Sequence, residues 1–203
     1  MKLLSDLLNR LGISPRPSAS DEEIADAERR TGLTFTNELR DLYRFTDGVT
    51  IDDFSLKILP LKDVLAFHRM LREAGYPQIW GYLPFTDSND SNPYCVCCRA
   101  PLTGYVALVS HDNSAKLSHR GLHAFFVALS ELLEPYSTPD DWEECLNIEE
   151  LRDDFTESET PAHEKELSKE LTTLGNTYGE PDTDSVAYVE RADAFRFAAT
   201  LCG

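Results

Sequence analysis

Apolar positions recur along this chain at two periods, one helical and one of two residues, and the change between them sets out its elements. Leu4, Leu7, Leu8 and Leu11 stand at helical spacing and predict an amphipathic helix over residues 2–11. Residues 15–17 hold two prolines and link it to a longer pattern running from Ser20 to Val49. Ser20 followed by Glu23 is a capping box, in which each side chain satisfies the other's free backbone donor at a helix start. Ile24 and Ala27 face one way, while Asp26, Glu28, Arg29 and Arg30 occupy the wet side. Gly32 falls where a left-handed residue would end that helix. Leu33 and Phe35 are read as core, Thr36 as the next cap, and Leu39, Leu42 and Tyr43 as the stripe of a second helix. Asp47-Gly48 then turns the chain into an extended segment.

Beyond that turn the period shortens. Phe54, Leu56 and Ile58 alternate with Ser55, Lys57 and Leu59, which predicts a strand within 54–61 that Pro60 ends. Residues 62–74 return to helical spacing through Val64, Leu65, His68 and Leu71, and Gly75 and Pro77 close the segment. Short strands are then expected over 81–85, 94–98 and 105–110, separated by polar turns at 86–93, 101–104 and 111–113. Residues 122–133 predict a helix with Leu122, Phe125, Phe126, Leu129, Leu132 and Leu133 inward.

The helical pair carries a resemblance. Ile24, Glu28, Gly32, Leu33, Leu39, Leu42, Tyr43, Asp47 and Gly48 stand in an order that resembles the SUKH superfamily. Those proteins are similar to a yeast cell-wall-assembly regulator, and many bacterial members are immunity proteins that neutralise toxin domains. Thr36 departs from the family's frequent Pro, though either residue suits a helix start. A second block extends the likeness through Leu83, Pro84, Phe85, Asp87, Tyr94, Cys95, Gly104, Val106, His111, Asp112, Phe125 and Phe126. The resemblance spans roughly residues 15–135 and implies an α+β fold, a mainly antiparallel sheet packed by helices.

Charge changes the picture in the last third. The chain of 203 residues carries a net charge of −17. Residues 1–135 hold 18 acidic and 14 basic side chains, a net of −4, whereas residues 136–203 hold 18 and 5, a net of −13. Such a surface repels nucleic acid and anionic membranes and steers basic partners toward it. The extension also has anchors: Trp142, Leu146, Ile148 and Leu151 punctuate its acidic first part, and helices are expected over 161–175 and 184–202, with 186–189 also fitting a strand. The expected organisation is a SUKH-like domain over 1–135 and an acidic, mostly helical extension over 136–203 packed on it.

The residue types that carry catalysis or metal binding are present without the required spacing. Cys95, Cys97 and Cys98 lack the second cysteine pair of a structural zinc site and read as small buried hydrophobes in a strand. The oxygen-rich run 87–92 lacks the central Gly and closing Glu of a calcium loop and reads as a hairpin connection. Ser110, His111 and Asp112 are consecutive and cannot form a relay across space. His119 and His123 read as an exposed pair at a helix start. No phosphate-binding glycine loop occurs, so no cofactor and no metal is expected. Apolar runs fall short of the roughly 18 residues of a membrane span, and the Leu-rich start is broken by Asp6, Asn9 and Arg10, so a cytosolic protein with free thiols is expected.

A binding role remains. The doublets Glu143-Glu144, Glu149-Glu150 and Asp153-Asp154, together with Asp87 and Asp90, are the candidate partner-binding residues. Their default role is a solvated acidic face. With the resemblance, the expectation is an immunity protein, not an enzyme, that neutralises a basic, nuclease-type toxin domain by stoichiometric occlusion. The alternative is a regulatory scaffold of the same fold with no toxin partner.

Overall fold

Leu4, Leu7 and Leu8 are buried along one side of α1 (Lys2–Arg10), and Leu11 just past it completes the expected stripe. The computed structural model describes residues 1–51, 56–73, 81–88, 92–100, 102–109 and 115–134, with Leu151 and Thr173. The expected helices over 161–175 and 184–202, and the strand alternative at 186–189, lie outside the described residues apart from Thr173.

Each boundary of the helical pair has its own local chemistry. In α2 (Asp21–Thr31) the Ser20 hydroxyl accepts from Glu23 N–H at 3.2 Å, and Glu23 Oε2 accepts from Ser20 N–H at 2.8 Å. These bonds hold the Glu23 carboxyl below its usual range. Gly32 ends the helix in the left-handed region at φ +69°. The Thr36 side chain then accepts from Leu39 N–H and caps α3 (Asn37–Phe45), which buries Leu39, Leu42 and Tyr43.

The strands form two antiparallel sheets with a shared crossing point. One has the order β1 (Val49–Ile51), β2 (Leu56–Ile58), β4 (Thr86–Ser88). The other has the order β3 (Tyr82–Pro84), β5 (Tyr94–Cys97), β6 (Val106–Val109), β7 (Ala115–His119). Only Phe85 separates β3 from β4. Its N–H donates to Tyr94 O at 3.0 Å in the second sheet, and its carbonyl accepts from Leu59 N–H at 2.9 Å beside the first. A single run of backbone therefore passes from one sheet to the other. Helices α4 (Leu61–Glu73) and α5 (Leu122–Leu132) complete the α+β fold among the described residues.

Four expectations are corrected. Leu59, assigned to the polar side of its strand, is buried, because its N–H reaches back to Phe85 and draws it into the sheet. Residues 86–88, read as part of a polar turn, are β4, since their backbone pairs with β2. Residues 115–119 form β7 along β6, where no strand was expected. His119 is accordingly buried in that strand, and only His123 is exposed, so the two do not form an exposed helix-start pair.

Phe125 holds the middle of the core. Its ring meets Phe85, Tyr94, His119 and Phe126 edge-on, with centroids 5.0–5.5 Å apart. Helix α1 packs against α5, where Arg10 Nη2 donates to Ser130 O at 3.2 Å. Leu151, an expected anchor of the acidic extension, is buried in this same core cluster.

Candidate protein-recognition surface

The charges of the helical pair are largely spent on one another. Glu28 lies one turn before the end of α2, and its Oε1 receives three donors: Phe35 N–H at 2.7 Å, Arg40 Nε at 3.1 Å and Arg40 Nη2 at 2.6 Å. Its side chain is 19% exposed and that of Arg40 33%, so the pair is partly desolvated and ties the turn to both helices. Arg44 bridges Asp21 at 2.8 Å and Asp41 at 3.3 Å, and Arg29 holds Asp26 at 2.6 Å. These last pairs are exposed and individually weak. Glu28→Ala leaves the Phe35 N–H and the Arg40 guanidinium without their acceptor. It is expected to lower stability by about 2 kcal/mol in urea unfolding, with Glu28→Gln recovering part of the loss.

The Asp47-Gly48 turn has a similar structural task. Asp47 Oδ1 accepts from Leu61 N–H at 2.7 Å, which caps α4, while Asp47 N–H donates to Pro17 O at 2.9 Å. Glu38 reaches across the fold in the same way, its Oε2 accepting from Leu122 N–H at 3.0 Å at the start of α5. Glu28 and Asp47, two acidic residues of the family-like pattern, thus serve the fold's own backbone donors.

Of the eight candidate partner-binding residues, the structure describes Asp87. It sits in β4 directly opposite Lys57 of β2, and Lys57 lies opposite Thr50 of β1. Thr50 and Lys57 are exposed and Asp87 is half-buried. This sheet face therefore sets one acid against one base, an arrangement favourable to strand pairing and close to neutral toward a partner. Asp90, Glu143, Glu144, Glu149, Glu150, Asp153 and Asp154 lie outside the described residues.

Buried groups with chemical potential are turned to packing. Cys95, Cys97 and Cys98 are free thiols buried on both faces of the sheet. Cys97 Sγ donates to Arg99 O at 3.2 Å. Burial pushes all three thiols up, Cys97 from an ordinary 9.0 to about 11. At pH 8 they are therefore expected to resist iodoacetamide in the folded chain and to react quickly in denaturant, as mass spectrometry would show. The unfolded thiol ionises near 9.0 and the folded Cys97 thiol near 11, so its contribution is complete below pH 9 and drains away as pH rises toward 11. Buried His119 shares a hydrogen bond of 2.9 Å through Nδ1 with Ser118 Oγ, which in turn donates to Val106 O at 3.3 Å. Among the described residues, no three His, Cys, Asp or Glu side chains are grouped to hold a metal ion.

One feature of the surface escaped the sequence reading. A cleft of about 340 Å³ lies between α2 and α4, with Arg30, Lys62 and Arg69 on its walls. Its signal was the spacing of Lys62 and Arg69, seven residues apart on one helix. Arg30 joins them only through the packing of two helices distant in sequence.

What these elements define is an α+β module whose described charges cap helices and brace turns. The sequence profile of the SMI1/KNR4 family (SUKH-1) matches residues 18–130, more than half of the chain, and the chain belongs to that family. The match opens just before the capping box and ends inside α5, so α1 adds a helix outside it. Among curated proteins, none matches the chain.

Proposed function

We propose that this protein is an immunity protein of the SUKH type, which neutralises a basic, nuclease-type toxin domain by stoichiometric occlusion. The observation that carries this reading is charge asymmetry within a SUKH-1 chain: −13 of the −17 net charge belongs to residues 136–203. The described domain supports the same division, because Asp21, Asp26, Glu28 and Asp41 are paired with its own arginines, and Glu38 and Asp47 with backbone donors. Recognition then falls to the doublets at 143–144, 149–150 and 153–154, with Asp87 and Asp90 at the rim. Long-range attraction speeds encounter with a cationic enzyme, and burial of the contact blocks its substrate. No helix among the described residues is long and apolar enough to cross a membrane.

The domain division belongs to this proposal: residues 1–135 as the folded module and 136–203 as an acidic, helical extension packed on it. Buried Leu151 in the shared core supports that contact. Leu151→Ala is expected to lower stability by about 2–3 kcal/mol if the extension is integral to the fold, measured by thermal unfolding. A change near zero would separate the two.

The test is capture of the recombinant product of the adjacent upstream gene, at low and high salt. One-to-one capture, slower to form as salt rises, is the expected result. Changing Glu143, Glu144, Glu149 and Glu150 to Gln should remove the salt dependence. Failure to hold any toxin domain, with the same housekeeping protein recovered each time, would replace this reading with the regulatory scaffold.

A further inference from the structure

We propose that the cleft between α2 and α4 is a second recognition site, one that takes an acidic peptide segment with carboxylates about three residues apart. Its charge is opposite in sign to that of residues 136–203, so it selects a different kind of partner from the proposed toxin contact. Arg30, Lys62 and Arg69 contribute three positive charges and Glu73 one negative, so the lining is +2 with His68 neutral, in a chain of net −17.

The cations are held loosely by their own acids. Arg30 lies 3.7 Å from Asp26 and Arg69 lies 3.9 Å from Glu73, well beyond the 2.7–2.9 Å of a strong charge-assisted bond. Asp26 is engaged more closely by Arg29, at 2.6 Å. The Arg30 and Arg69 side chains are 60% and 74% exposed, so their guanidinium forks are open to a bidentate carboxylate.

Spacing selects the ligand. Lys62 and Arg69 are seven residues apart on α4, about 10 Å along the axis at 1.5 Å per residue. A peptide in the polyproline II conformation advances about 3.1 Å per residue and returns every third side chain to the same face, so acids three positions apart bridge about the same distance. The charges are spread along a trough, which suits a chain better than one compact anion. Half-buried Leu65 lines the cleft and offers contact to apolar side chains set between the acids.

The experiment titrates the full-length chain into a fluorescein-labelled peptide, Glu-Leu-Ala-Glu-Leu-Ala-Glu, and follows fluorescence anisotropy at about 0.02 M salt, where charges act over about 30 Å or less. The expected result is saturable binding that weakens roughly tenfold or more in the triple variant Arg30→Glu, Lys62→Glu, Arg69→Glu. Lys57→Glu, on the remote sheet face, should leave it unchanged, and unfolding curves should show all variants folded. If the triple variant is destabilised, Lys62→Gln and Arg69→Gln singly should each still weaken binding. The proposal is overturned by absence of saturable binding, by equal binding of the peptide with Gln for Glu, or by indifference to the triple variant. Inorganic pyrophosphate binding more tightly than the peptide, and lost in the triple variant, would overturn it in favour of a small-anion site.

Discussion

Gly48→Ala is expected to destabilise the protein by about 3 kcal/mol, a large share of the 5–15 kcal/mol that holds a typical domain together. Two costs add. Gly48 has φ +94°, a conformation that L side chains adopt only under strain. A Cβ there would also lie 2.8 Å from Ile58 O, 2.8 Å from Pro60 N and 3.1 Å from Pro60 Cδ. Two of those atoms are backbone, held at the end of β2 and the start of α4, so no rotamer change relieves the contact. Gly32 supplies the control. It too has positive φ, at +69°, but a Cβ there meets nothing within 4 Å. Gly32→Ala should therefore cost only about 1 kcal/mol. The gap between the two variants in urea unfolding measures the close approach at Gly48, apart from its dihedral angle.

Phe125→Ala should cost about as much, roughly 3–5 kcal/mol. The ring is fully buried and presents its edges and face to four other rings at once. Removing it opens a cavity between Phe85, which joins the two sheets, and His119 on the last strand. Phe125→Leu should recover much of the loss by refilling volume without restoring the ring geometry. Thermal unfolding checks both. Because the site is internal, any loss of partner capture by these variants should track the unfolded fraction and vanish when the temperature is lowered.

The helical half of the molecule was legible because each of its boundaries is written in adjacent residues. Ser20 with Glu23, Gly32 and Thr36 act within a few positions of themselves, and the structure finds each in the expected role, while Asp47 reaches on to Leu61 N–H. The strands missed in the sequence owe their existence to distant partners. Thr86, Asp87 and Ser88 are polar, yet they pair with β2, and Thr86, fully buried, accepts from Tyr94 N–H at 2.8 Å. Ser118 and His119 also look exposed by residue type, but β6 supplies the pairing that buries them, across a register irregularity at Val106 and Ala107. Polarity marks a turn only when no neighbouring strand satisfies it. The site divides in the same way. Charge asymmetry is visible in composition alone, whereas Lys57 facing Asp87, and Arg30 meeting Lys62 and Arg69, depend on chain segments brought together by folding.

The most direct test of the central claim is a titration of the catalytic activity of a captured toxin domain against increasing amounts of this protein. Stoichiometric occlusion predicts a linear fall that reaches zero at one molecule per toxin, and recovery of activity when the complex is dissociated. Activity that persists at excess would contradict the immunity reading, and inactivation by far less than one equivalent would contradict occlusion by pointing to turnover.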